Sequence, residues 1–208
     1  MFEFKKYTDD EFFECKLRGA NNVVNAVCGE KDFSSIPKDV LERAAERGSA
    51  VHKAIEDFLN SDMTIIPSLD LEYYPYWDQF KKWLAERTYI EKIYGVEVKI
   101  ISEKLGCKGI IDCIAEFKNR DSDETHMALI DWKTSSSLDN FRAKCQLQLY
   151  YELLLQEYPD IAEKITELRI LNITKTNYRW FKFDIDRELG KSLLYIYNKY
   201  LRKNAEKR

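Results

Sequence analysis

Apolar residues recur at helical spacing over 39–60, a stripe that ends near Asn60-Ser61-Asp62. They recur again over 74–87, where Tyr76, Phe80 and Trp83 share one face. The pattern then changes to strand-like runs near 93–101, 107–118 and 126–134. A long amphipathic helix over 138–158 follows, closed by Pro159. Residues 167–174 and 178–185 alternate as a hairpin around Lys175-Thr176-Asn177, and 189–207 reads as a terminal helix ending in a basic tail. No internal repeat, low-complexity tract or linker interrupts this order. The expectation is one domain over 1–208 with an N-terminal helical part covering about 1–90. Its architecture should be an α/β or α+β sandwich: a central mixed sheet of about five strands, flanked by helices.

Chemistry enters at Asp131-Trp132-Lys133, which ends the apolar run 127–130. Side chains alternate along a strand, so an acid, one spacer and a lysine put carboxylate and ammonium on one face. The chain holds five acid-x-Lys triplets, at Glu3, Glu14, Glu97, Glu116 and Asp131. Only the last follows a wholly apolar strand core with another acid-bearing strand just upstream. That upstream strand carries Gly109-Ile110-Ile111-Asp112, and the polar residues 119–124 between the two read as a hairpin loop. Antiparallel pairing would set Asp112 beside Asp131. Acids ending otherwise apolar strands are costly unless paired or metal-bound, so both are candidate ligands for a divalent cation. Lys133 would then steer or activate water.

Three further features point at the same place. His52, one of two histidines in the chain, lies in a helix with Glu56 one turn later. A neutral imidazole completes a carboxylate site for a manganese- or magnesium-type ion. Gln146 and Tyr150 are four apart in the long helix, so both can point over the site. Glu97 is a possible extra acid. Trp132 should turn its side chain into the core by alternation, leaving its carbonyl available to complete a coordination shell.

Together these residues resemble the PD-(D/E)XK nuclease superfamily, in particular its RecB-like branch. The motifs are G-x-x-x-H (Gly48 to His52), G-x-x-D (Gly109 to Asp112), D-x-K (Asp131 to Lys133) and Q-x-x-x-Y (Gln146 to Tyr150), in family order across 47–151. Each is loose; the ordered set of four is specific. Arg47-Gly48 ahead of the histidine is similar to phage exonucleases and the mitochondrial genome maintenance exonuclease. The resemblance implies a restriction-endonuclease-like core and a metal-dependent deoxyribonuclease that degrades DNA from an end. The implied ligands of one Mg²⁺ or Mn²⁺ are His52, Asp112, Asp131 and the Trp132 carbonyl. Asp112, Asp131, Lys133 and Gln146 form the implied catalytic set, and Tyr150, Arg142 and Lys108 the DNA contacts. The resemblance further implies a role in phage or mobile-element recombination, replication or repair, beside a single-strand annealing or single-strand-binding protein. Ile111 stands before the acid, where the family usually has proline or a glycine-rich lead-in. The first 45 residues carry no family motif.

Composition narrows the classes without choosing among them. Apolar content of 45% with 13% aromatics excludes a disordered chain. No 18-residue apolar run predicts a membrane span. An acidic start at Glu3, Asp9 and Asp10 is unlike a transit peptide, so a cytoplasmic location is expected, in the bacterial host cell if the protein is phage-encoded. Net charge of −3 runs against nucleic-acid binding unless positive charge is concentrated locally. Five cysteines without C-x-x-C read as buried thiols rather than a disulfide framework, and no cysteine follows Cys145 to complete an iron–sulfur cluster. A structure-specific endonuclease of the same fold and a non-catalytic DNA-binding or assembly module are the alternatives. The aromatic segment 73–77 would stack on a threaded strand if it arches over the site, and otherwise joins a helical core.

Overall fold

The computed structural model describes residues 3–61, 63–120 and 123–202. Asp62, part of the 119–124 loop and the basic tail from 203 lie outside them. The helices are α1 (Asp9–Glu14), α2 (Ala20–Cys28), α3 (Lys38–Asn60), α4 (Tyr74–Glu86), α5 (Asn140–Glu157), α6 (Pro159–Ala162) and α7 (Arg187–Ile196), the last continued by a π-helical turn, Tyr197–Leu201. The strands are β1 (Arg18–Gly19), β2 (Thr88–Ser102), β3 (Cys107–Asn119), β4 (Thr125–Lys133), β5 (Glu167–Ile173) and β6 (Tyr178–Phe183).

The sheet has six strands rather than five, in the order β1-β3-β4-β5-β6 with β2 also paired to β3. The additional strand, β1, is two residues long and too short to show an alternating pattern. Strand β2 begins at Thr88, ahead of the 93–101 expected, because register shifts near Ile90 and Ile93 blur its alternation. The β2-β3-β4 pairings are antiparallel, and β4 runs parallel to β5 after a crossover through α5 and α6. These helices and strands form the mixed-sheet α+β architecture expected from the sequence.

Each face of the sheet has its own core. On one, α5, α2 and α7 bury Leu147, Leu153, Ile111 and Leu193. On the other, α3 and α4 bury Trp77, Phe80 and Trp83 against Trp132 and Phe117. The Phe80 and Trp132 rings are 5.9 Å apart and edge-on, as are Trp83 and Trp132. That geometry suits the ring quadrupoles and adds about 0.5–1.5 kcal/mol per pair beyond area burial. The expected side-chain direction of Trp132 is therefore observed. Tyr73, Tyr76 and Trp77 are also buried here, so this part of the 73–77 segment forms core and offers no stacking surface to a strand.

Besides those shifts in β2, regular alternation fails at a further point, and there it fails in two strands together. Val96 and Cys113 pack on the α3/α4 side, whereas Val98 and Ile111, each two residues away, pack on the α5 side. In an unbroken strand such pairs share a face. Between the partners Val96–Cys113 and Val98–Ile111 stand Glu97 and Asp112. Glu97 has a φ of 50°, a left-handed conformation that typically costs a non-glycine residue about 1–3 kcal/mol. This paired break turns two carboxylates out of the ladder.

The same position is a fork. β4 pairs with β3 from Lys118 back to Cys113, and β1 pairs at Cys107 and Lys108. β2 holds the other edge of β3 throughout, so β1 and β4 share one edge and part company around 109–112. Gly109 lets α5 approach here: an added Cβ would meet Tyr150 Cε1 at 2.8 Å and Leu153 Cδ1 at 3.0 Å. Gly109→Ala should therefore destabilise the fold by about 1–3 kcal/mol through overpacking. Urea denaturation with an unchanged m-value would register it; a stability equal to wild type would show that α5 yields freely.

Candidate active site

Asp112 is 6% exposed and Asp131 1% exposed, both at the fork. Antiparallel pairing of β3 with β4 ends at Cys113–Ile130, so the two acids are the next residues beyond its last rung. Beyond that point the Asp112 carboxylate replaces the backbone ladder, its Oδ2 accepting the Trp132 N–H at 2.6 Å. Helix α3 delivers His52 from above. Its Nε2 lies 3.0 Å from the Trp132 carbonyl. A carbonyl can only accept, so Nε2 carries the hydrogen and the ring orientation is fixed. Nδ1 then faces Asp112 Oδ2 at 3.6 Å and Glu97 Oε1 at 3.8 Å.

His52, Glu97 and Asp112 each offer a ligand atom, all within 4.8 Å of one another. One nitrogen and two hard oxygens suit a manganese- or magnesium-type ion, with water filling the remaining positions. The sequence ranked Glu97 only as an extra acid, because its place depends on the backbone break. Two other expected ligands are engaged within the protein. The Trp132 carbonyl faces His52, and Asp131 is held by Lys133 Nζ at 2.6 Å and by Gln146 Nε2 at 3.0 Å.

Lys133 and Asp131 thus share a face, as D-x-K spacing on a strand requires. Gln146 also donates to the Tyr150 hydroxyl at 2.8 Å, so the two polar residues of α5 form one chain leading to Asp131. Tyr150 is 5% exposed, which corrects its expected contact with DNA: the phenol lies beneath the site and supports Gln146. Arg142 is likewise committed, with Nη1 donating to Asn25 Oδ1 at 2.9 Å, Nη2 to the Cys28 and Gly29 carbonyls, and Asp139 beside Nε. Lys108 Nζ donates to the Phe12 and Cys15 carbonyls, the latter at 2.9 Å. Their charge still adds to the local field, but their donors already have partners. Glu56 pairs with Lys53 at 3.1 Å at the mouth of the site, one turn from His52.

Clefts open on both sides of these residues. One of about 470 Å³ reaches Lys133 and Gln146 past Phe33 and Ser135. Another of about 500 Å³ reaches His52 and Glu97 past Gly48 and Glu56. A ligand can therefore meet the carboxylate group and the lysine from outside.

Protonation follows from crowding. Burial and the neighbouring Asp131 raise Asp112 to about 7, against the opposing pull of His52 and Lys133. For His52, burial favours the neutral ring, but Asp112, Glu97 and Asp131 together outweigh it and raise the imidazole to about 9. Lys133 is held above its ordinary value: burial opposes its charge, and Asp131 and Asp112 overcome that cost.

Both Asp112 and His52 bind protons more tightly folded than unfolded, so each contributes stability at low pH that is lost as pH rises. For Asp112 the loss runs from its unfolded value of 3.8 to about 7, and for His52 from 6.5 to about 9. In EDTA, stability attributable to this site should decline across both windows. Mn²⁺ should reverse the trend, because ligands bind metal deprotonated and its stabilisation grows with pH. Calorimetry of wild type and His52→Ala, with and without Mn²⁺, separates the two windows. An increment from Mn²⁺ that ignores pH would remove His52 and Asp112 from the ligand set.

Similarity to known proteins agrees with the geometry. No curated protein matches the sequence. The crystal structure of a protein from Eubacterium rectale, named “Putative exonuclease”, superposes with a TM-score of 0.55 at 14% identity, covering 97% of this chain and 86% of its own. At that identity the likeness speaks for the fold alone. A second crystal structure, SSO0001, has a TM-score of 0.37 at 16% identity over 87% of this chain and 76% of its own, too low to carry an argument. The family model of the PD-(D/E)XK nuclease superfamily matches residues 70–184, a span that includes Glu97, the fork and the whole D-x-K strand. With more than half the chain matched and the acids and lysine gathered where β3 and β4 part, this protein belongs to the PD-(D/E)XK nuclease superfamily.

Proposed function

We propose that the protein is a metal-dependent DNA exonuclease that hydrolyses phosphodiester bonds from a DNA end. The observation that carries the reading is the meeting of His52, Glu97 and Asp112 around one point, with the Asp131–Lys133 pair beside it. Nuclease superfamilies of this type use divalent cations, and the nitrogen and carboxylate donors here fit Mg²⁺ or Mn²⁺. Bound there, such an ion would lower the pKa of a coordinated water and offset charge developing on the phosphate.

The chain's own residues account for the rest. Trp132 O fixes the imidazole so that Nδ1 faces the carboxylates once it loses its proton. The ligand set we favour is His52, Glu97 and Asp112, with Asp131 joining when Lys133 turns from it toward substrate. Lys133 then orients the attacking water and faces the non-bridging phosphate oxygens, its charge maintained by Asp131 and Asp112. Gln146, anchored on Tyr150, holds Asp131 in place. Activity should fall at low pH, since proton and metal compete for His52. Among the described residues no helix is long and apolar enough to cross a membrane. We place the enzyme in the cytoplasm, in phage or mobile-element recombination, replication or repair, beside a single-strand annealing or single-strand-binding protein.

Lys133→Ala and Asp112→Ala should each lower turnover by about 10²-fold or more while leaving the circular dichroism spectrum unchanged. Glu97→Ala should raise the Mn²⁺ concentration needed for half-maximal activity, and the same metal titration on His52→Ala should move likewise. Near-wild-type turnover by Lys133→Ala would sink the assignment of the D-x-K lysine. Dependence on an end is supported by the name of the solved neighbour and by the similarity of the Arg47-Gly48 segment to phage exonucleases. Closed circular single-stranded DNA should resist digestion in Mn²⁺ and be degraded once linearised. Equal cutting of both forms would make the protein an endonuclease.

A further inference from the structure

A cationic cavity of about 690 Å³ lies at the start of β3, away from the fork. Its charged lining among the described residues is Lys16, Arg18, Lys108 and Arg202, with no aspartate or glutamate among them, in a chain whose net charge is −3. Pairing of Arg18 with Cys107 and of Gly19 with Lys108 fixes this lining to β3. Lys108 contributes charge while its ammonium caps the Phe12 and Cys15 carbonyls. Lys16 and Arg18 are exposed, and neither side chain takes part in an ion pair or hydrogen bond among the described residues. Gly19 also lines the cavity as the N-cap of α2, which has no side-chain capping bond and no acid in its first turn. The positive end of that helix therefore adds to the cationic field rather than being neutralised locally.

We propose that this cavity is a second nucleic-acid site, which seats backbone phosphates of the strand whose scissile phosphate lies at Asp112 and Lys133. The identity of the strand rests on the nuclease reading; the preference for a polyanion rests on the lining. Several cations without an acid, two of them unengaged and in solvent, suit successive phosphodiesters, where counterion release rewards each contact. Lys108 and Asp112 are four residues apart on β3, about 13 Å at roughly 3.3 Å per residue. A stacked strand rising roughly 3.4 Å per nucleotide covers that distance in about four nucleotides. Substrates shorter than this reach the carboxylates without touching the cavity, and longer ones occupy both sites.

The test is the double variant Lys16→Glu/Arg18→Glu, compared with Lys81→Glu/Lys82→Glu on α4, which changes net charge equally elsewhere. Binding is read by fluorescence anisotropy in EDTA over a salt series, using single strands of about 20 and about 3 nucleotides, the shorter unable to span the interval. For the long strand the Lys16/Arg18 variant should bind at least about tenfold more weakly, and the slope of log K against log salt should shrink by about 1.4, the loss of two contacts. Binding of the short strand should match wild type, and in cleavage assays KM for the long strand should rise with kcat retained. If the charge reversal unfolds the protein, Lys16→Gln/Arg18→Gln should show both losses at smaller size. Equal weakening for both lengths, an unchanged slope, or the same loss in the α4 control would overturn the proposal. Length-dependent loss of binding in a protein whose wild type cuts no nucleic acid would overturn the nuclease reading and leave this site standing.

Discussion

The short hydrogen bond from the Trp132 amide to the Asp112 carboxylate, 2.6 Å long, is the contact on which this site depends. It stands where the next rung of the β3–β4 ladder would be, so the Trp132 amide keeps a partner where the two strands separate. A carboxylate accepting a backbone N–H is also immobilised, which places its second oxygen. The fork that results gives Lys133 and the cleft beside it access to the acids. A continuous ladder would have sealed them between two cores.

Charge balance at the fork explains why groups with opposite demands sit together. Asp112, Glu97 and Asp131 repel one another at low exposure, and burial sharpens that repulsion. His52 and Lys133 offset part of it as cations. A divalent ion would relieve more, at which point His52 exchanges its proton for metal and Lys133 becomes available to substrate. On the function proposed above, this is the charge balance of a site that takes a divalent cation. The left-handed Glu97 is consistent with that view, since strained backbone persists where the surroundings over-determine it.

The scaffold holds these groups from three directions. Helix α3 brings His52, anchored by Val51 and Ile55 in the aromatic core under Trp132. Helix α5 brings Gln146 and Tyr150, packed closely against Gly109. Strand β2 brings Glu97 through its break. Because both cores are tightly packed at the fork, a shift in any one element displaces a ligand or the lysine.

The sequence by itself determined the element order, the D-x-K face and the nearness of Asp112 to Asp131, since all three follow from local periodicity and a hairpin. Burial of Trp132 followed from the same alternation. Wherever a side chain's surroundings come from distant segments, periodicity was silent or misleading. Tyr150 is four residues from Gln146 and shares its face, yet the approach of β3 at Gly109 buries it. Arg142 and Lys108 read as free cations until their partners, the α2 end and the α1 region, are folded against them. β1 is too short to carry a pattern and is defined only by the edge of β3 that β4 leaves open. Glu97 is the sharpest case. Strict alternation assigns it a face, and a break shared by two strands moves it to another, because only the assembled sheet, packed on both sides, can hold a left-handed residue where His52 and Asp112 meet.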